Sequence, residues 1–138
     1  MSIGNAGLEV DSAGTYKFIA GFANITGNLK MAKNILTLGA VDRNKVVSII
    51  SSRGPAHDGR VKPELVAYGE QGTSNATAIT SGIVTLLQQA YKQKNANQLP
   101  SATLLKAVLI NSAEDVENPQ VDFKSGYGNI NAYRAHQA

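Results

Sequence analysis

Apolar positions are spaced in different ways along the chain. Residues 1–33 are dominated by Gly, Asn, Ser and Thr around a short apolar patch at Phe18–Phe22, which predicts surface loops with at most one weak strand. Ile35-Leu36-Thr37-Leu38-Gly39-Ala40-Val41 is a compact apolar run between Asn34 and Asp42, the pattern of a strand covered on both faces. Val46–Ile50 predicts a second strand, broken by Ser51-Ser52-Arg53-Gly54-Pro55. After a polar loop to Pro63, Glu64–Tyr68 predicts a third strand that stops at Gly69, with Glu64 expected at the surface of the strand edge.

From Ser74 the period becomes helical. Ala76, Ile79, Ile83, Leu86, Leu87 and Ala90 form an apolar stripe on a helix expected to run to about Lys94. Asn95–Pro100 is a polar linker. Ser101 then stands at an N-cap position, and Leu104, Leu105, Val108, Leu109 and Ala113 predict a second amphipathic helix with Lys106 facing solvent. Gly126–Ala132 reads as a tight glycine turn that opens a last short helix. Buried-type strands followed by helices indicate an α/β fold with a mostly parallel sheet. There is no internal repeat and no low-complexity segment.

Composition narrows the class. A chain of 138 residues, 43% hydrophobic and 17% charged, fits one globular domain. The absence of cysteine removes disulfides, Cys-ligated zinc, iron–sulfur clusters and thiol nucleophiles. Thirteen Lys and Arg against ten Asp and Glu are scattered, and eight aromatics, three Phe and five Tyr, show no interleaving with Arg. No nucleic acid is therefore expected as a partner. No apolar stretch is long enough for a membrane span, and the first twenty residues lack the pattern of an export signal.

Candidate chemistry lies at Gly72-Thr73-Ser74, where a loop meets the start of the long helix. A hydroxyl there sits in the positive field of the helix N-terminus, beside backbone N–H groups able to stabilise an oxyanion. Ser74 is thus either a nucleophile or an ordinary helix cap. Asn24-Ile25-Thr26 and Asn75-Ala76-Thr77 match the glycosylation sequon, and both are discounted because a sugar beside Ser74 would obstruct the site and chance matches are common. Glu114, Asp115 and Glu117 read as a solvated helix end.

Several ordered motifs carry a resemblance. Ser51-Ser52-Arg53-Gly54-Pro55, then Asp58 to Gly69, then Gly72-Thr73-Ser74-Asn75-Ala76-Thr77 closely resemble the nucleophile half of the subtilisin-like serine proteases. Ile35–Val41 with Asp42 looks like the strand and turn before the SSRGP segment of that family, and Lys124–Ala132 is similar to its C-terminal glycine and asparagine motif. The resemblance covers nearly the whole chain. It implies part of a doubly wound, mostly parallel sheet with flanking helices, Ser74 as nucleophile, and Asn5, within Ile3-Gly4-Asn5-Ala6-Gly7, as the side-chain amide of the oxyanion hole. A neutral amide suits that task because it donates a hydrogen bond that favours the tetrahedral oxyanion over the planar carbonyl.

The chain departs from the family pattern at several places. Asn75 and Ala78 stand where an apolar residue and a proline are usual, and only Glu70 and Gln71 separate Gly69 from Gly72 in place of a longer hairpin. Neither a D-x-G nor an H-G-T motif precedes Ser74, so the catalytic Asp and His are not in this chain. The two histidines are His57, expected as a solvated loop residue beside Asp58, and His136 near the end. Residues 1–138 accordingly read as the C-terminal portion of a subtilisin-like peptidase domain whose Asp- and His-bearing N-terminal portion is absent.

The resemblance implies a secreted or cell-surface serine endopeptidase acting on polypeptide substrates through an acyl-enzyme, with this piece inert alone. The alternative is a non-catalytic interaction module, or a degenerate protease, on the same scaffold. Expected partners are the missing N-terminal half and, through unpaired strand edges, further copies of the chain. No cofactor is expected beyond structural calcium, which the resemblance allows without identifying a site.

Overall fold

In the computed structural model, which describes residues 1–138, a two-stranded parallel sheet carries three helices. The strands are β1 (Leu38–Val41) and β2 (Leu65–Tyr68), in register Leu38 to Leu65 through Val41 to Tyr68. The helices are α1 (Thr73–Lys94), α2 (Ala102–Asn111) and α3 (Ala132–Gln137). A 3-10 turn at Asn28–Met31 is the one regular element of the N-terminal loops.

Both strands are covered on two faces, as their unbroken apolar runs require. Leu38, Ala40, Leu65 and Ala67 point into one core with Ala76 and Leu87 of α1, Leu109 of α2, Ile130 just before α3, and Ala135 of α3. Val41 and Val66 point the other way, against Val47 and Val116. The sheet edges expected to be unpaired are largely closed by the chain itself. Leu38 donates to the Met1 carbonyl (2.8 Å) and accepts from Ile3 (2.9 Å), while Ala40 is satisfied by Ser48 and by the Ser51 hydroxyl. On the far side, Val66 donates to Gly128 (3.0 Å) and accepts from Ile130 (2.9 Å).

Four expectations are corrected. Val46–Ile50 is not a strand: the Asp42 carboxylate accepts from the amides of Asn44 and Val46, a side-chain-stabilised turn that lets Val47 make one antiparallel bridge to Val41 before the chain leaves the sheet. Glu64 is not a surface residue but is 6% exposed, paired with the fully buried Lys62. Lys106 is only partly exposed and reaches back towards Glu64 at 3.6 Å. The predicted strand at Ile35 also begins late, because Ile35 and Thr37 give their polar groups to Lys62 and Glu64 before pairing starts at Leu38.

The helices start where their caps lie. Ser101 Oγ accepts from the Leu104 amide at 3.1 Å and Asn131 Oδ1 from the Arg134 amide at 2.9 Å. α1 begins without a side-chain cap, at Gly72. Its expected stripe divides: Ala76 and Leu87 are buried, while Ile79 and Leu86 face solvent. No helix is long and apolar enough to cross a membrane.

Candidate active site

Buried Ser52 of the Ser51-Ser52-Arg53-Gly54-Pro55 segment holds the N-terminal segment in place. Ser52 donates its amide to the Gly4 carbonyl (2.9 Å), and its hydroxyl accepts from the Ala6 amide (2.9 Å). Asn5 is therefore gripped on both sides through the backbone, while its own side chain stays at the surface.

That side chain turns to the start of α1. Asn5 Oδ1 accepts from the Thr73 amide (3.0 Å) and from the Thr73 hydroxyl (2.9 Å), and the same hydroxyl accepts from the Gly4 amide (3.2 Å). With Oδ1 engaged twice, the amide cannot flip without losing both bonds, and Nδ2, which has no partner in the chain, is left as a free donor. Gly72 makes the approach feasible: its φ is 114°, and a Cβ there would lie 2.9 Å from both Asn5 Nδ2 and Oδ1.

Ser74 follows as the second residue of α1, exposed, with its hydroxyl making no hydrogen bond within the chain. The amides of Ser74 and Asn75 are equally unpaired, since the first turn of a helix lacks carbonyls to receive them. A free hydroxyl, two free backbone N–H groups in the positive field of the helix end, and a side-chain amide fixed by Thr73 thus all lie at one corner, the start of α1. That corner can hold the oxygen of a polarised carbonyl beside a hydroxyl nucleophile. Asn5 and Thr73, sixty-eight positions apart, are brought together at the start of α1, next to Ser74.

Neither histidine joins them. His57 is exposed in the loop against Gly14, where a Cβ would come within 3.0 Å of its ring, and Asp58 pairs with Arg60 (2.8 Å) rather than with His57. His136 lies beside Leu87, Tyr91 and Leu104, about 20 Å down α1 from Ser74 at ~1.5 Å per residue.

Other candidates resolve into structural roles. Glu114 accepts from Lys45 (2.8 Å) and Asn131 (2.7 Å), and these bonds hold its carboxyl below the ordinary glutamate range. Glu117 accepts from the Val47 amide (2.7 Å), so the acidic group is a set of ties between loops. No group of three or more His, Asp and Glu side chains is arranged to hold a metal ion. Asn24 is buried, its amide shared between Arg53 and Glu9. Two features escaped the sequence reading. Thr73 stood in the motif without a role, and the Lys62–Glu64 pair forms across the bend at Pro63, ahead of β2, where strand alternation gives no signal.

Comparison with known proteins shows the family to which the chain is similar. The Subtilase family matches residues 1–128. The Subtilisin-like protease SBT6.1 of Arabidopsis thaliana is 26% identical over 124 residues, covering 75% of this chain and 12% of that protein. The Membrane-bound transcription factor site-1 protease of Mus musculus is 29% identical over 124 residues, 75% of this chain and 11% of its own length. The chain therefore spans about an eighth or less of these relatives. Among solved structures, the Prenylagaramide maturation protease PagA superposes with a TM-score of 0.70 at 22% identity, over 99% of this chain and 48% of that one. The Clostridium perfringens CspB protease gives a TM-score of 0.72 at 24% identity, over 86% of this chain and 29% of that one. With the same family indicated by the motifs and by the match over residues 1–128, this chain belongs to the subtilases.

Proposed function

We propose that this chain is the nucleophile-bearing portion of a serine endopeptidase of the subtilisin type, inert until a general base is brought to Ser74. The observation that carries this reading is the Asn5 amide, locked by Thr73 and presented beside the unpaired hydroxyl and N–H of Ser74. In the completed domain Ser74 Oγ attacks the scissile carbonyl of a polypeptide while its proton passes to a histidine outside this chain. The carbonyl oxygen becomes an oxyanion held by Asn5 Nδ2 and the Ser74 N–H. Collapse of the intermediate breaks the C–N bond, the histidine returns the proton to the leaving amine, and water then hydrolyses the acyl-enzyme by the same route. Polypeptide substrates and a secreted or cell-surface parent are part of the same proposal, on the ground of family membership.

The test is turnover of a peptide anilide. The isolated chain is expected to show none above background, because an unactivated serine hydroxyl is a poor nucleophile at neutral pH. Chain completed with an Asp- and His-bearing portion is expected to cleave the substrate and to lose that activity on Ser74→Ala. Turnover by the chain alone, abolished by the same substitution, would overturn the requirement for an outside base. The second reading, a non-catalytic module on this scaffold, is favoured by Asn75, Ala78 and the short Gly69–Gly72 loop. It predicts a completed domain that stays inert.

A further inference from the structure

Charge is unevenly distributed over the three helices. No residue from Thr73 through Tyr91 carries a charged side chain, and the charges of α1, Lys92 and Lys94, both stand in its last turn. Between Gln71 and Ala113, and again from Phe123 to Ala138, there is no Asp or Glu. The far end of α1, all of α2 and all of α3 therefore bring together cationic side chains and no side-chain carboxylate, at the opposite end of α1 from Ser74.

A cavity of about 350 Å³ opens there. Leu87 and Tyr91 of α1, Leu104, Leu105 and Val108 of α2, and Ala135 of α3 line it, and the exposed Lys94 and His136 border it. Its size lies within the range of small-molecule sites, about 300–1,000 Å³, and its lining has their character, mostly apolar with a few polar groups. Those groups are uncommitted. The Lys94 ammonium, the His136 ring and the Tyr91 hydroxyl have no ion-pair or hydrogen-bond partner in the chain, whereas Lys106 and Arg134 reach the carboxylates of Glu64 and Glu114. The Ala138 carboxylate, the one anion that adjoins the cavity, pairs with none of them.

A helix C-terminus by itself repels an anion, with roughly half a negative charge. Here Asn95 Nδ2 donates to the Tyr91 carbonyl (2.8 Å) and the Asn97 amide to the Lys92 carbonyl (3.1 Å). Two full positive charges in the same turn outweigh what remains.

We propose that this cavity binds a small anionic amphiphile, a monocarboxylate with an apolar body. The body enters between α1, α2 and α3, against Leu87, Leu105 and Val108, and the carboxylate stays at the border with Lys94, His136 and the Tyr91 hydroxyl. Burial of the body supplies most of the affinity, and the charge-assisted contacts select the sign of the head group. The site does not depend on the reading of Ser74 as nucleophile.

The experiment titrates sodium decanoate, below its micelle-forming concentration, into the full 138-residue chain by calorimetry, with the thermal midpoint as an independent readout. Saturable binding is expected, with a midpoint that rises with decanoate concentration because the ligand binds the folded chain. Acetate, a head without a body, is expected not to bind. Decanol and decyltrimethylammonium, the same body with no charge or the opposite one, are expected to bind at least about tenfold more weakly. Lys94→Glu and His136→Glu are each expected to weaken decanoate by about tenfold or more. Both replace exposed side chains and should keep the unliganded midpoint of the parent chain. Lys17→Glu, in the N-terminal loops, is expected to leave binding unchanged. Absence of saturable binding would overturn the proposal. So would decanol binding as tightly as decanoate, which would make the cavity indifferent to charge, or decanoate binding insensitive to both Lys94→Glu and His136→Glu, which would place the ligand elsewhere.

Discussion

The Lys62 ammonium, with no exposed surface, is paired to the carboxylate of the buried Glu64. Lys62 Nζ also donates to Ala32 O (3.1 Å) and Thr37 Oγ1 (3.1 Å), and Glu64 Oε2 accepts the Thr37 amide (2.8 Å). Burial holds the Lys62 pKa below the ordinary lysine range in spite of its partner. The pair ties the segment before β1 to the segment before β2. Lys62→Met is expected to destabilise the chain, by up to about 3–5 kcal/mol, because it leaves a buried carboxylate with only the Thr37 amide and the more distant Lys106. Lys62→Met with Glu64→Leu is expected to recover most of that loss. Urea unfolding of the two variants checks both, and equal losses would mean the pair contributes packing rather than charge balance.

The fit of Gly72 against Asn5 makes a prediction about catalysis in the completed domain. Asn5→Ala is expected to lower kcat by about 10²–10³-fold, the range for losing one oxyanion donor, with KM nearly unchanged. Gly72→Ala is expected to act in the same direction through Asn5, since the added Cβ would enter the space of its amide. Steady-state kinetics separate the two parameters; a change confined to KM would make Asn5 a substrate-binding residue.

Ser52 links the stability of the fold to the position of Asn5. Removing its hydroxyl leaves the buried Ala6 amide without an acceptor, a loss of about 1–3 kcal/mol. Ser52→Ala is thus expected to lower the thermal midpoint of the isolated chain and, in the completed domain, to lower kcat as well. Stability lost with kcat intact would show that the grip on the backbone does not set the amide.

Glu114 predicts an acid dependence. Its folded pKa is depressed by the hydrogen bonds from Lys45 and Asn131, so the unfolded chain binds its proton more readily. The stabilisation is fully present above the ordinary glutamate titration, about pH 4.3, and is lost as pH falls through the lowered folded value. Glu114→Gln is expected to flatten the decline in stability over that interval and to leave the slope near neutrality unchanged, as measured by thermal melts against pH.

Much of the architecture was legible in local pattern. The apolar runs ending at Val41 and Tyr68 marked strands buried on both faces, and Ser101 and the Gly126–Ala132 turn marked helix starts, because side-chain alternation and capping are set by neighbours in sequence. The order of the motifs around Ser74 indicated the family before any coordinates, and the same resemblance pointed to Asn5 as the candidate oxyanion donor. What pattern alone missed depends on residues far apart. Val46–Ile50 has strand composition, but the Asp42 carboxylate captures its first amides and turns it away. Glu64 has the composition of a surface position, yet Lys62 and Thr37 make its burial tolerable. Thr73 acquires a role only when residue 5 meets residue 73, since a hydrogen bond across that separation leaves no periodic trace in the chain. Whether the apolar positions of α1 face a core was likewise decided in three dimensions: the sequence by itself determined that this helix has no charged side, and the tertiary structure decided which side the chain covers and which it leaves open.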